Sequence, residues 1–257
     1  MNILPIKTRL VHAAECTIEQ LLDESIEEIS ENSVIAISSK VVALCQNRVV
    51  SKDDITKSEL IKQEANYYTP DGFNKYGFNF TIVNNSFILS AGIDESNVDD
   101  AFVLWPDRPQ EAANDIRRFL TQHFGHQNIG VIITDSTSMP AMRAGTTGVI
   151  LAHSGFEAVK QLAGTKDLFG RTFEVSKSAI GGGLAAAATV VMGEGCEQTP
   201  IAIISNIPFV RFTQSDPTPE ELAATYIPPE IDMYAPFIQS APWQQGGGGY
   251  IKKDARL

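Results

Sequence analysis

Asp94, Asp135 and Glu194 each stand in a short run of small or hydroxylated residues: Ala91-Gly-Ile-Asp-Glu-Ser-Asn97, Gly130-Val-Ile-Ile-Thr-Asp-Ser136 and Met192-Gly-Glu-Gly195. Small neighbours let backbone or ligand approach closely. A carboxylate and a hydroxyl at the end of an apolar strand place oxygen ligands at the rim of a sheet, where open α/β sheets bind their ligands. If the three carboxylates converge, they make a hard-oxygen site suited to Mg²⁺ or Mn²⁺. Taken singly, each has a plainer use: Asp135 caps a turn, Asp94 and Asn97 make an Asx-turn, and Glu194 ends a helix. Convergence in the fold separates the two readings.

The elements that must position these groups alternate along the chain. Asn2 to Lys7 reads as a strand. Thr17 reads as the N-cap of a helix over Ile18 to Ile29, with Gln20 completing a capping box. Ser33 to Ser38 and Val41 to Val50 are β-rich runs around a polar Ser38-Ser39-Lys40. A helix is expected over Lys57 to Tyr67, a loop over Thr69 to Gly77, and a hairpin of Phe80 to Val83 and Phe87 to Ala91 across Asn84-Asn85. Pro109 opens a helix with Ala112, Ile116, Phe119 and Leu120 on one face. Residues 130–134 are a buried strand. Thr147 to Leu151, Thr172 to Val175 and Pro200 to Ile207 are further strands. Leu184 to Met192 is a small-residue helix, and Glu220 to Tyr226 a short one. The pattern predicts an α/β, mixed α+β protein with flanking helices. Residues 1–235 form the main domain, divisible into two lobes, and 236–257 a partly flexible tail with Gly246 to Gly249.

Of the 257 residues 43% are hydrophobic, enough for one large domain or two small lobes. A net charge of −11 argues against nucleic-acid or anionic-membrane partners. Cys16, Cys45 and Cys196 are odd in number and lack metal spacing; with no signal-peptide pattern or long apolar run, they point to a reducing cytoplasm. The four histidines, His12, His123, His126 and His153, are too scattered for zinc; His123 and His126, at a helix end, read as structural. There is no Gly-x-x-x-x-Gly-Lys-Ser/Thr loop. Gly181-Gly182-Gly183 lacks dinucleotide-fingerprint spacing and reads as close helix packing or a loosened helix start.

The three acidic motifs, with Arg-Ala-Gly-Thr-Thr-Gly at 143–148 and Lys-Asp-Leu-Phe-Gly-Arg at 166–171, resemble in their order the coenzyme F-420-0:L-glutamate ligase family, from about residue 2 to about residue 207. Thr134 to Gly145, with Asp232-Met-Tyr, is similar to a bacterial branch named for folate-metabolism γ-glutamate ligation. The resemblance implies that family's α/β fold, a homodimer, a GTP-type nucleotide (GTP or ATP), two divalent cations with K⁺ as a further candidate, and γ-linked addition of L-glutamate to an acceptor carboxylate. Position by position, Asp94 and Asp135 match the ligands of one metal, and Ser136 and Glu194 those of the other. Arg9, Leu10, Val11, His12, Ser39, Lys40, Asn97 and the loop with Gly193 and Gly195 match nucleotide contacts. Three departures stand out: Leu44 occupies the place of an expected Lys, Gly182-Gly183 that of an acidic pair, and Pro140 lies in a loop that lacks Asn-Gly-Arg.

The implied chemistry suits the residue types. An NTP-dependent ligase makes an acyl phosphate that the glutamate amine then resolves, and phosphoryl transfer needs positioning and charge neutralisation above all. Arg143, near Asp135 in a Gly-rich turn, is a candidate for a bidentate grip on phosphate or carboxylate, a surface or dimer ion pair being its other use. Lys166 and Arg171 are candidates for the acceptor's acidic tail. The Met139-Pro140-Ala141-Met142 run reads as an apolar wall and favours a folate over coenzyme F-420-0 as acceptor. A catalytically silent nucleotide- or metal-binding protein is the alternative from another class.

Overall fold

The computed structural model describes residues 1–138 and 143–248. In chain order the elements are β1 (Asn2–Ile6), α1 (Ile18–Ser25), β2 (Ser33–Ser38), α2 (Ser39–Cys45), β3 (Val49–Ser51), α3 (Lys57–Glu64), β4 (Tyr67–Tyr68), β5 (Phe80–Val83), β6 (Ser86–Leu89), β7 (Ala101–Val103), α4 (Pro109–Phe124), β8 (Ile129–Ser138), β9 (Thr146–Ser154), β10 (Val159–Gln161), β11 (Lys177–Ala179), α5 (Ile180–Met192), β12 (Ile201–Ser205), α6 (Pro219–Ala223), α7 (Ala235–Ser240) and β13 (Gln244–Gln245). The mixed α/β class read from the sequence is the class observed.

The central sheet has the order β1-β12-β2-β8-β9. Its β2–β8 pair is parallel and its other pairs antiparallel. Alternation along the strands splits the core between two faces. Ile35, Ile37, Val131, Ile133 and Ile201 face Leu21 and Leu22 of α1 and Ile116 and Leu120 of α4. Val34, Ala36, Ile132, Ala202 and Ile204 face Leu184, Ala185 and Ala188 of α5. The small side chains of α5 let it lie close to the sheet, and Gly181 abuts Ile150 and Ala158, so this glycine serves helix packing. A second cluster joins Leu60 and Ile61 of α3 to Val83, Ile88, Ile93, Leu104 and Trp105 beside the sheet β13-β4-β5-β6.

Local signals set many boundaries. Thr17 and Thr56 close capping boxes with Gln20 and Glu59. Asn84 and Asn85 take the left-handed conformations of a tight hairpin turn between β5 and β6. Two expectations are corrected. Val41 to Val50 is not one β-rich run: residues to Cys45 form α2, and only Val49–Ser51 is strand. The β-branched valines there are overridden by packing, because a helix buries Val41 and Val42 against α1 and the sheet while Leu44 meets Val103. Thr172 to Val175 is not a strand. Asp167 Oδ1 accepts from the Phe169 and Arg171 N–H groups and turns the chain, leaving Thr172 in a lone bridge to Lys166. The segment expected as a partly flexible tail carries α7 and β13 within its described part: β13 pairs with β4, and the N–H groups of Gly246, Gly247 and Gly248 donate to Asn66, Lys62 and Ala65 carbonyls. A Cβ on Gly246 would lie 2.2 Å from the Ala65 carbonyl oxygen, so glycine permits that approach.

Candidate active site

Strand directions bring the acidic motifs to one edge of the central sheet. β2 and β8 run parallel and present Ser38 and Thr134 in register, so Ser39, Lys40, Asp135 and Ser136 emerge together. β1 ends where β12 begins, with Ile6 opposite Ile201. The 7–11 segment and the 193–200 loop therefore meet at the same edge, joined by the hydrogen bond from Thr8 N to Gln198 O at 3.2 Å, while Ser38 N at the end of β2 donates to Pro200 O at 2.8 Å. The loop carrying Asp94 is held there by reciprocal backbone bonds with Val103 at 3.0 and 2.8 Å. Asn97 Nδ2 donates to Gly195 O at 3.2 Å, bridging the first and third motifs.

A cleft of about 410 Å³ opens at this edge. Arg9, Leu10, Val11, Lys40, Asn97, Gly193 and Gly195 line it, as do Asp94, Asp135, Ser136 and Glu194. Ser39 lies buried beneath, donating to Asp135. His12 is not in the lining; its backbone N–H donates to Glu15. Arg9 reaches the cleft with its guanidinium held by Glu15 at 2.7 Å and Glu24 at 3.1 Å. Arg143, Lys166 and Arg171 are exposed and outside the lining. The Met139–Met142 run lies outside the described residues. A separate cavity of about 400 Å³, walled in part by Trp105, contains none of these candidates.

The two aspartates have different surroundings. Asp94 Oδ2 lies 2.5 Å from Lys40 Nζ, which also donates to the Ser96 carbonyl and hydroxyl oxygens. Burial pushes the Asp94 carboxyl up, but Lys40 and the Ser96 N–H outweigh it and hold it below the usual carboxylate range. Among the described residues the side chains that donate to Asp135 are neutral: Trp105 Nε1 at 2.6 Å and Ser39 Oγ at 3.1 Å. Burial, with a smaller contribution from Asp94, pushes Asp135 up against the opposing bonds from Trp105, the Ser136 N–H and Ser39. A carboxylate held by neutral donors keeps a charge that nearby positive charge can offset. Among the described residues, no three His, Cys, Asp or Glu side chains sit close enough together to hold a metal ion. Glu194 shares the cleft but is exposed at its lip.

Leu44, where a lysine was expected, lines the cleft one helical turn beyond Lys40, so Lys40 supplies an ammonium on the same face of α2. Trp105 was missed, because a tryptophan closing the apolar run from Ala101 reads as core. Glu197 was also missed: it accepts from Gly195 N at 2.8 Å and lines the cleft. The glycines around Glu194 were the available signal for a tight loop needing such a partner.

The chain matches the family described as F420-0:Gamma-glutamyl ligase over residues 67–206, which includes the loops of Asp94, Asp135 and Glu194. The chain belongs to that family. A relative named Coenzyme F420:L-glutamate ligase from Methanococcus maripaludis strain C6 is 32% identical over 228 residues, covering 81% of this chain and 89% of the relative. The similarly named protein of Methanosarcina barkeri is 29% identical, covering 80% and 84%. That of Methanocaldococcus jannaschii is 32% identical, covering 70% and 79%. This γ-glutamyl ligase is therefore an amide-forming enzyme, which sets aside the silent-binder alternative. Among its described residues, no helix is long and apolar enough to cross a membrane.

Proposed function

We propose that this γ-glutamyl ligase joins L-glutamate to the carboxylate of an F420-type acceptor at the expense of a nucleoside triphosphate, in the cleft between Lys40, Asp94 and Asp135. The observation that carries the reading is the gathering of family-matched residues from distant segments into that one cleft. The relatives' names support the F420-type acceptor over the folate, which rested on the likeness of Thr134 to Gly145 and Asp232-Met-Tyr to a folate-named branch and on the 139–142 run. In the reaction an acceptor carboxylate oxygen attacks the terminal phosphorus and the nucleoside diphosphate leaves. The glutamate amine then attacks the acyl carbon, loses its proton, and expels phosphate.

Asp94, Asp135, Ser136 and Glu194 line the cleft and would offer hard oxygen donors to Mg²⁺ or Mn²⁺, with nucleotide phosphates and water completing a shell that no three carboxylates among the described residues make by themselves, and the burial of Asp135 among neutral donors fits such a group. Bound there, divalent cations supply neutralisation of phosphate charge. The chain's own contributions are separate. Lys40 adds a positive charge and holds the Asp94 loop through Ser96, while Asn97 clamps that loop to Gly195. The backbone of Arg9 to Val11 and the Gly193–Gly195 loop form facing walls for the nucleotide. Self-association as a homodimer is supported by the nearly fully exposed Leu168 and Phe169 of the 162–176 arm.

The test is mass spectrometry after incubation with L-glutamate, GTP or ATP, Mg²⁺ or Mn²⁺, and either F420-0 or tetrahydrofolate. A glutamate increment on F420-0 alone is expected. An increment on tetrahydrofolate alone would restore the folate acceptor and refute the F420 assignment.

A further inference from the structure

Both oxygens of Asp135 are held from inside the protein, Oδ1 by Ser39 and Oδ2 by the indole N–H of Trp105 at 2.6 Å. Trp105 is buried, and its own position is over-determined. Its carbonyl accepts from Arg48 Nε at 3.2 Å, and the neighbouring Leu104 N–H donates to the Arg48 carbonyl. Gly92 lies against the indole edge: a Cβ there would sit 2.1 Å from Trp105 Nε1, and φ is +69°. Two residues before Trp105, Val103 exchanges both backbone hydrogen bonds with Asp94. The segment 103–105 thus ties Asp94 through its backbone and Asp135 through a side chain.

We propose that Trp105 is a positioning residue of the ligase reaction, fixing Asp135 Oδ2 so that the carboxylate's free lone pairs face the cleft at a set spacing from Asp94. The inference rests on the reading of Asp135 as a cation ligand. An indole is a donor only, so it cannot itself take up a cation or turn Asp135 into a donor. Being neutral, it orients the carboxylate without cancelling its charge, in contrast to Lys40 on Asp94. Hydrogen-bond partners standing behind a ligating group alter metal affinity by about 10- to 100-fold. The close fit of Gly92 keeps the indole edge from drifting off Asp135.

The experiment compares the wild type, Trp105→Phe, which keeps an aromatic ring but loses the N–H, and Asp135→Asn. Free Mn²⁺ measured by electron paramagnetic resonance gives affinity without turnover. Trp105→Phe is expected to weaken Mn²⁺ binding about tenfold or more, with near-ultraviolet circular dichroism showing an intact fold and kcat falling more than the KM for glutamate changes. The two tryptophans give a second readout in wild-type protein. Mg²⁺ should shift the indole N–H signal of Trp105 and spare that of Trp243, which donates to Ile238 O and meets the Phe87 ring. Normal Mn²⁺ affinity in Trp105→Phe, with binding lost in Asp135→Asn, overturns the role of Trp105 and leaves the cation reading standing. Wild-type affinity in both variants removes the cation reading and this inference with it. Should Trp105→Phe not fold, an unmoved Trp105 signal in the wild type overturns the proposal and a selective shift upholds it.

Discussion

Asp94 and Asp135 line one cleft, yet among the described residues only Asp94 has a cation against it. Lys40 therefore stands to act twice, as a charge facing the nucleotide and as the clamp on the Asp94 loop. Lys40→Ala should weaken nucleotide binding roughly tenfold at low ionic strength, with a smaller loss in high salt because screening has already reduced the charge term. Calorimetry at two salt concentrations checks this, and unchanged affinity at both would confine Lys40 to its loop contacts. Cysteine reactivity reports on the same cleft. Cys196 is exposed in its lining, whereas burial, helped by Cys16, pushes the Cys45 thiol up to about 12 and keeps it protonated. Iodoacetamide at neutral pH should alkylate Cys196 before Cys45, and bound nucleotide should slow it. Peptide mapping showing Cys45 modified first would contradict that order. The carboxylates were legible because each sits in a short motif with glycine or a hydroxyl beside it. The indole behind Asp135 and the glutamate behind Gly195 were not, because their roles arise from contacts across 30 residues for Trp105 and across a loop turn for Glu197.

Elements whose ends carry their own chemistry were readable: the cap at Thr17, the paired asparagines of the hairpin, and Pro109 opening α4. α2 was not, since its valines favour a strand until α1 and the sheet offer a helix two faces to bury. That misreading bears directly on the site, because a helix keeps Lys40 and Leu44 about 6 Å apart along its axis at the one cleft, where a strand would separate them by about 13 Å. The C-terminal segment is tied to α4 by a contact no local pattern announces. Arg117, 6% exposed, donates to Ser154 Oγ and Gln214 O and pairs with Asp216 at 2.7 Å. Asp216→Ala would leave that buried guanidinium without its carboxylate. Because Asp216 itself is part-exposed, the expected loss is about 2 kcal/mol rather than the full cost of stranding a buried ion. Urea unfolding of the variant measures it, and a change under 0.5 kcal/mol would show that Ser154 and the Gln214 carbonyl suffice.

At the scale of the whole molecule, the sheet supports catalysis at one edge and carries a pH liability on its other side strand. His153 on β9 is 3% exposed, and burial lowers its pKa from 6.5 to about 4, with Glu221 opposing weakly. The unfolded chain therefore binds the proton first. The stability is fully present above about pH 6.5 and is lost as pH falls toward 4, up to about 3 kcal/mol by proton linkage. His153→Gln should lose less stability than the wild type between pH 7 and 4.5 in urea titrations; equal losses would mean that His153 is not the group responsible. The catalytic edge has a sharper test. Asp135→Asn removes a charge and little volume, so the fold should persist while the reaction stops. The decisive measurement is the mass of F420-0 after incubation with glutamate, nucleoside triphosphate and Mg²⁺ or Mn²⁺, using wild type and Asp135→Asn side by side, with circular dichroism confirming that both are folded. The account predicts one or more glutamate increments with the wild type and none with the variant. Equal increments with both proteins would contradict it, because the chemistry would then not depend on the carboxylate at the floor of this cleft.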